Sequence, residues 1–307
     1  MYGMLWCVDV ARRMWALYEP VHSVVYFTPE AREHFEAAGL RGFWRGYFAG
    51  RAAPLGPTGA APVAAAFFSF SPAMVARALP DVWQRATPAE ALRARSAGAT
   101  AALTRIVAGL KEADAGETTQ RLTEAADRLT EVVTRLERGG RVLGAANAAL
   151  PVPDDPLARL WQAATTLREH RGDGHVAALV AAGLSGCEAL VWRAATDLSR
   201  ELLQPVRGWT DEEWDAAAQR LRARGWLDEA GRPTGAGTAG YREIEAVTDR
   251  ACAGAWTDDD VASVQALLMP LTKACYHHLP AINPIGVPAP DADAATSASS
   301  SSRPAAS

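Results

Sequence analysis

The stretch TDEEWDAAAQRLRARG, residues 210–225, carries the start and stop signals of one short helix. Thr210 is a typical N-cap, and the acids that follow it suit the positive end of the helix dipole. Arginines fill the last turn, and Gly225 is a typical C-terminal stop. Two short extended pieces follow around Ala230 and Gly231, and another helix is predicted from about Thr238.

Helix, small hairpin and helix in this order are typical of a winged helix, in which the helix before the hairpin enters the DNA major groove with its N-terminal residues. In this sequence those residues are four acids: Asp211, Glu212, Glu213 and Asp215. The hairpin offers only Arg232, beside Asp228 and Glu229. Because neutralising phosphates supplies most non-specific affinity, this charge pattern argues against DNA as a partner.

The composition is that of an ordinary globular protein. The chain has 307 residues, a length sufficient for two domains and a sizeable core. Of these residues, 49% are hydrophobic and 21% are charged. A net charge of −4 gives no overall field toward nucleic acid or an anionic membrane. The four cysteines form no CxxC pair, the chain start lacks a typical signal peptide, and no apolar run reaches a bilayer's thickness. We therefore expect a cytoplasmic protein with no membrane partner.

Apolar periodicity and caps predict a mainly α fold. Its parts are an N-terminal helical domain (1–150), a winged-helix domain (151–280) and a disordered tail (288–307). The Pro-rich turn at 151–156 marks the predicted boundary. Residues 28–42 faintly resemble residues 210–225, which would make the first domain a degenerate winged helix. Both a homodimer and an internal pseudo-dimer therefore remain open.

Breaker residues set three of the expected boundaries. A helix begins near Val8 and is expected to end at Pro20. The aromatic stretch 41–59 is expected to be irregular. A helix from Pro156 is expected to stop at Gly172.

The segment EHRGDGH, residues 169–175, is the densest polar cluster. If the helix stops at Gly172, Asp173 can N-cap the next helix and His175 lies in its first turn. A carboxylate beside an imidazole can orient a general base. We therefore assign His175 as the candidate acid–base residue and Asp173 or Glu169 as its orienting carboxylate. A purely structural cap is the alternative.

A second candidate is GFWRGYFAGR, residues 42–51, where aromatic residues alternate with Arg and Gly. Such a composition suits a pocket for a planar or anionic small molecule. The alternative is a core segment whose rings fill the junction between helices. The remaining candidate site residues fall into four groups: Arg45 or Arg51 as an anion clamp, Tyr26 and Trp44 as stacking rings, His22 as a further catalytic candidate in the cleft, and His170 and Arg171 as ligand contacts.

Common catalytic and metal motifs are missing from the sequence. It contains no Walker-type phosphate loop, GxSxG or HExxH. His170 and His175 are five residues apart across the expected break, unlike the i, i+4 spacing of a helical zinc pair. No metal is predicted, and the cofactor is unknown.

Five blocks resemble an actinobacterial family of two-part helical proteins described only as carrying a MarR-like helix-turn-helix region. They are EPVHSVVYF (19–27), GFWRGYFAGRAAPLG (42–56), FSFSPAMVARALPDVW (68–83), LREHRGDGHVAAL (167–179) and GYREIEAVTDRA (240–251). The resemblance runs from about Ala11 to Lys273. It implies the fold and carries over no activity.

Two functions therefore remain open. The first is a small-molecule-binding protein with a winged helix that no longer binds DNA, with an enzyme using His and carboxylate chemistry as one form of it. The second is a MarR-like transcriptional regulator that responds to a ligand. In the first, the ligand lies in a cleft between the two domains. In the second, it lies between the dimer helices and the winged helix, near residues 169–175. A purely structural partner of another protein is a third possibility.

Overall fold

The computed structural model describes residues 2–110, 115–287 and 289–290, and these residues form fourteen α-helices. The first eight are α1 (Tyr2–Phe27), α2 (Pro29–Ala37), α3 (Phe43–Ala52), α4 (Ala60–Phe67), α5 (Pro72–Ala76), α6 (Pro88–Ala108), α7 (Ala115–Thr134) and α8 (Val142–Ala148). The other six are α9 (Pro156–Ala181), α10 (Gly186–Thr196), α11 (Arg200–Arg207), α12 (Asp211–Ala223), α13 (Gly235–Ala253) and α14 (Asp258–His277). The predicted mainly α fold is confirmed. Of the predicted disordered tail, only residues 289 and 290 lie within the described residues.

The predicted helix–hairpin–helix segment forms as expected. The Thr210 hydroxyl accepts a hydrogen bond from the main-chain N–H of Glu213, and the Glu213 carboxylate accepts one from the N–H of Thr210. This reciprocal cap satisfies two of the free N–H groups at the start of α12. Gly225 stops the helix with φ of 72°. The hairpin that follows is minimal, a single antiparallel bridge between Leu227 and Pro233.

Two hydrophobic cores share α9. Leu160 and Trp161, near its start, lie in the larger core with α1, α6, α7 and α14. Ala178 and Leu179, near its end, lie in the smaller core with α10, α12 and α13. The winged helix is therefore joined to the rest of the molecule by one continuous helix.

Pro20 does not end α1, so this predicted boundary is wrong. A proline ring disturbs the carbonyl groups three and four residues earlier in a helix. The Thr272 hydroxyl of α14 donates to one of them, the carbonyl of Leu17, over 2.8 Å. Packing against α14 therefore supports the helix through the proline.

The predicted irregular stretch 41–59 is also mostly helical. Phe43–Ala52 forms α3, and a short 3₁₀ turn, Ala53–Leu55, follows it. The two glycines within α3 allow close packing, because an added Cβ atom at Gly46 or Gly50 would lie 2.9 or 2.6 Å from the ring of Phe35.

The predicted stop at Gly172 is wrong as well, because α9 runs unbroken from Pro156 to Ala181. Asp173 consequently caps no helix of its own segment. Arg141 crosses α9 at Gly174, where an added Cβ would lie 1.9 Å from its guanidinium and would force that side chain to shift. An added Cβ at Gly144 of α8 would lie 2.7 Å from the Cα of His170, an atom of the α9 backbone.

Among the described residues, no single helix is long and apolar enough to cross a membrane; α9 and α10 would pass such a test only together, and they meet at a 99° bend.

Two glycine variants test the continuity of α9. Gly172→Ala should raise the free energy of unfolding by about 0.5–1 kcal/mol, because Gly172 lies in a helix interior with open space around it. Gly144→Ala should lower it by about 1–3 kcal/mol through its clash with the His170 backbone. Urea unfolding measures both. A clear loss of stability in Gly172→Ala would mean that the helix breaks there.

Candidate functional site

A cleft of about 1770 Å³ lies between the helices of the larger core and the winged helix. One face of α9 forms its floor, with residues spaced three or four apart: Arg168, Arg171, Gly172, His175, Val176 and Leu179. This spacing is that of one helix stripe. The continuity of α9 is therefore what creates the floor of the cleft.

The sides of the cleft come from both parts of the molecule. On one side α1, α3 and the segment 66–70 contribute Trp15, Tyr47, Arg51, Phe67 and Phe70. On the other side α10 and α13 contribute Trp192, Arg193, Tyr241, Arg242 and Glu245. The last turn of α11 adds Arg207, and the segment 284–286 lies along the rim.

The segment 68–71 ties the two sides together. The Trp209 indole N–H donates to the carbonyl of Ser69 over 2.9 Å. The Ser71 hydroxyl donates to the carbonyl of Gly208 over 2.7 Å. The main-chain N–H of Ser71 donates to the carbonyl of Arg207. Gly186 at the start of α10 is required here, because an added Cβ would lie 2.0 Å from the carbonyl oxygen of Phe68.

Arginines dominate the charge of the cleft. Eight of them line it: Arg12, Arg51, Arg168, Arg171, Arg193, Arg207, Arg242 and Arg250. Six of these arginines form ion pairs. Their partners are six carboxylates: Glu19, Glu169, Asp197, Glu243, Glu245 and Asp249. Among the described residues, Arg207 and Arg242 form no ion pair. The cleft thus has two positive charges in excess, although the protein as a whole is acidic.

The first ion-pair network is centred on Glu169. Arg51 donates to both of its carboxylate oxygens, over 2.8 and 2.9 Å. Arg168 donates to Glu169 over 3.0 Å and lies 3.5 Å from Glu19. Burial alone would raise the pKa of Glu169, but Arg51 and Arg168 hold it well below its usual range. Glu169 is therefore an ionised anchor that joins α9 to α3.

The second network joins α9 and α1 to α13. Arg171 donates to Asp249 over 2.8 Å, and Arg12 donates to the other oxygen of the same carboxylate over 2.8 Å. Arg12 also reaches Glu245 over 3.0 Å. Arg171 additionally stacks on Trp15, 4.7 Å from the ring centroid. These bonds hold α13 against the floor of the cleft.

His175 is the candidate acid–base residue that the structure places in the cleft. Its Nδ1 lies 3.0 Å from Oγ1 of Thr248, whose hydroxyl donates its only hydrogen to the carbonyl of Ile244 over 2.8 Å. With the Thr248 hydroxyl donating to Ile244, the bond between Nδ1 and Oγ1 requires the tautomer in which Nδ1 carries the proton. Burial lowers the pKa of His175, so the neutral ring keeps an unprotonated Nε2 at pH 7. Glu245, with Oε1 3.6 Å from Nδ1, lies on the same side of the ring as Thr248.

Asp173 and His170 face away from the cleft. The Asp173 carboxylate accepts a hydrogen bond from the N–H of Gly144 over 2.8 Å, and so caps the start of α8. Burial raises its pKa to about 6. His170 Nε2 donates to the carbonyl of Glu137 over 2.9 Å. The structure does not bring Asp173 next to His175 as the predicted corner required.

His22 and Tyr26 line a separate small cavity of about 40 Å³ on the far side of the Arg51–Glu169 pair. His22 bonds Thr165 through Nδ1 and Tyr26 through Nε2, over 2.9 and 3.0 Å. A volume of this size suits ordered water better than an organic ligand. The cavity is thus not part of the large cleft.

Trp44 and Arg45 line neither space. Trp44 packs within the aromatic cluster of α3, with its ring 6.0 Å from that of Phe70. Arg45 is exposed and donates to the carbonyl of Arg41. Of the predicted ligand contacts, Arg51 and Arg171 are the ones that line the cleft.

Sequence reasoning missed Thr248, Glu245, Arg193 and Arg207. Thr248 and Glu245 lie in GYREIEAVTDRA, a block that the resemblance marked without assigning it a role. Arg193 and Arg207 stand in ordinary helices with no local signal. Their importance comes from tertiary contacts alone.

The segment GAGTAG, residues 235–240, has the glycine spacing of a dinucleotide-binding loop. Here it opens α13 after the hairpin, without the preceding strand of a βαβ unit that such a loop needs. Gly237 and Gly240 pack under Trp226 instead, where added Cβ atoms would lie 2.4 Å from its carbonyl oxygen and its ring. The motif is therefore explained by packing.

No group of three or more His, Cys, Asp or Glu side chains in residues 2–110, 115–287 and 289–290 is arranged to hold a metal ion.

The order α10, α11, α12, hairpin and α13 defines a winged helix built onto a larger helical body. A family model described as a helix-turn-helix family matches residues 11–280, and the chain belongs to that family. No curated protein and no solved structure matches the chain.

The tautomer of His175 can be tested directly. In ¹⁵N-edited NMR spectra, His175 should appear as the Nδ1–H tautomer and stay neutral at pH 7. Thr248→Val removes the acceptor and should shift the ring toward the commoner Nε2–H form. His170 is the internal control, since its bond to a carbonyl should keep it Nε2–H in both proteins. An Nε2–H His175 in the wild-type protein would contradict the assignment.

Proposed function

We propose that this protein binds an anionic small molecule in the cleft between its helical body and its winged helix. The observation that carries the proposal is the excess of two arginines in the cleft of an acidic protein. Uncompensated positive charge inside a concave site attracts and concentrates anions. A bound anion would supply the carboxylate-like partner that Arg207 and Arg242 lack.

The shape and lining of the cleft favour an organic ligand. Small-molecule pockets measure roughly 300–1000 Å³, so a typical metabolite would fill part of this cleft. Tyr47, Phe67, Phe70 and Tyr241 provide apolar and aromatic surface between the arginines. Rings and guanidinium groups together suit a ligand with both a planar part and a negative charge.

The charges of the winged helix argue against DNA as the partner. Asp211 and Asp215 are exposed on α12, and the one arginine beside them, Arg200, is paired with both. Glu212 is exposed as well. The start of α12 therefore presents a negative surface to a polyanion.

Three other arginines of this module are bonded within the protein. Arg220 pairs with Glu188, and Arg232 pairs with Asp228. Arg224 donates to the carbonyls of Ala182 and Gly183, directly after the end of α9. Few free positive charges remain for phosphate contacts.

A second candidate function is an enzyme that uses the same cleft. The observation favouring it is His175, whose Nδ1 is fixed by Thr248 and whose Nε2 remains free to accept a proton. A neutral histidine of fixed tautomer is suited to act as a general base toward a ligand lying on the floor of the cleft. In this form of the proposal Glu245 assists His175 in place of Asp173 or Glu169.

The fluorescent sulfonate 8-anilino-1-naphthalenesulfonate combines rings with a negative charge and is a suitable probe of the cleft. Saturable binding that weakens with salt is expected. Arg242→Ala, an exposed cleft residue, should weaken it by about 2–5-fold, as expected for one partly screened charge. Arg232→Ala, on the hairpin, is the matched control and should change nothing. Near-UV circular dichroism must show a folded protein. Absence of saturable, salt-sensitive binding would contradict the proposal.

Fluorescence anisotropy with the protein's own upstream DNA tests the alternative regulator. No binding is expected between about 50 and 200 mM salt, the range over which phosphate contacts dominate affinity. The variant Glu212→Lys with Asp215→Lys reverses the charge of the helix start and should gain weak non-specific binding. Tight, salt-sensitive binding by the wild-type protein would show that DNA binding is retained.

A further inference from the structure

In the segment 279–287, which follows α14, residues 284–286 line the cleft, and two carbonyl groups of this segment bond to arginines of the cleft. Arg207 donates to the carbonyl of Pro284 over 3.1 Å. Arg193 donates to the next carbonyl, that of Ile285, over 3.2 Å. Two arginines from different helices, α10 and α11, thus hold two successive main-chain oxygens.

Asn283 builds the turn that aims these carbonyls. Its buried side-chain oxygen accepts hydrogen bonds from the N–H groups of Ile285 and Gly286, over 3.2 and 3.0 Å. Gly286 then passes directly against Arg193, where an added Cβ would lie 2.3 Å from the guanidinium. The segment is therefore shaped to fit the two arginines.

Arg207 is poorly neutralised in this arrangement. Its Nε is buried without a hydrogen-bond partner, and within the described residues it pairs with no carboxylate. Its guanidinium lies 4.6 Å from the ring centroid of Phe70. Burial is the main cause that lowers its pKa to about 10; Tyr47 opposes this, and the neighbouring cations Arg51, Arg193 and Arg168 add to it. A cation in such surroundings is stabilised strongly by an anion.

We infer that Arg193 and Arg207 form an oxyanion subsite of the cleft, and that the carbonyls of Pro284 and Ile285 hold the place of the ligand's oxygens. A neutral carbonyl makes a weaker bond to guanidinium than a phosphate or carboxylate oxygen, because only the anion adds an attraction between two full charges. An oxyanion therefore displaces the segment 279–287 from the arginines. The inference rests on the proposed function and specifies the group by which the ligand is held.

Three probes with a common ring separate the chemistries. Phenyl phosphate and benzoate carry a phosphate and a carboxylate, and benzyl alcohol is neutral. Calorimetric titration of the full chain should show binding of at least one anion and none of the alcohol. The stronger of the two anions identifies the oxyanion that the subsite takes. Equal binding of the neutral alcohol would overturn the inference.

Substitutions test the assignment in both directions. Arg207→Met keeps a long apolar side chain over Phe70 and should weaken anion binding roughly tenfold or more, as expected for a lost charge-assisted bond. Asn283→Ala loosens the competing turn and should strengthen binding severalfold. Ile282→Ala, at an exposed position of the same segment, is the control and should leave affinity unchanged.

These outcomes are separable from those of the sulfonate experiment. If the sulfonate binds but neither Arg207→Met nor Asn283→Ala changes anion affinity, the subsite is wrong and the ligand-binding cleft stands. Should Arg207→Met fail to fold, Asn283→Ala still decides the question, since unchanged affinity in that variant overturns the competition. If the sulfonate does not bind, the proposed function itself fails.

Discussion

The unbroken course of α9 is the constraint on which the other features depend. Each helical residue turns about 100° from the one before, so neighbours in sequence point to different parts of the molecule. Glu169 thus reaches α3, Arg171 reaches α13, and Asp173 reaches α8. The polar block that the sequence suggested as one catalytic corner is in fact a set of separate links between helices. Only its members on one stripe, Arg171, Gly172 and His175, face the cleft.

The parts of the fold that local signals determine could be predicted. The limits of α12 follow from the Thr210 cap and Gly225, whose roles are settled within a few residues. Several interior glycines reflect tertiary packing and do not end a helix. Gly46, Gly50, Gly144 and Gly174 are small because another chain segment passes close by, and this is visible only after the helices pack.

The candidate site was predictable to a similar extent. His175 and Arg51 could be selected by residue type, and both lie in the cleft. The partner of His175 could not be found, because Thr248 lies 73 positions away and only the packing of α13 on α9 joins them. Arg207 could not be selected from the sequence either. Only the three-dimensional structure shows that it pairs with no carboxylate among the described residues. If the helix had been predicted to continue through residue 172, the spacing of its residues alone would have indicated which of them face the cleft.

The segment 68–71 has a consequence for the width of the cleft. Its bonds to Trp209, Gly208 and Arg207 join the sides of the cleft at one place, and α9 joins them at another. A hinge motion would have to break these bonds or bend a long helix, so the gap between the two sides is fixed. A ligand of the proposed kind would have to fit this gap, because the cleft would not close around it. The rigid frame would then discriminate by length and girth, and the segment 279–287 would be the part left to adjust.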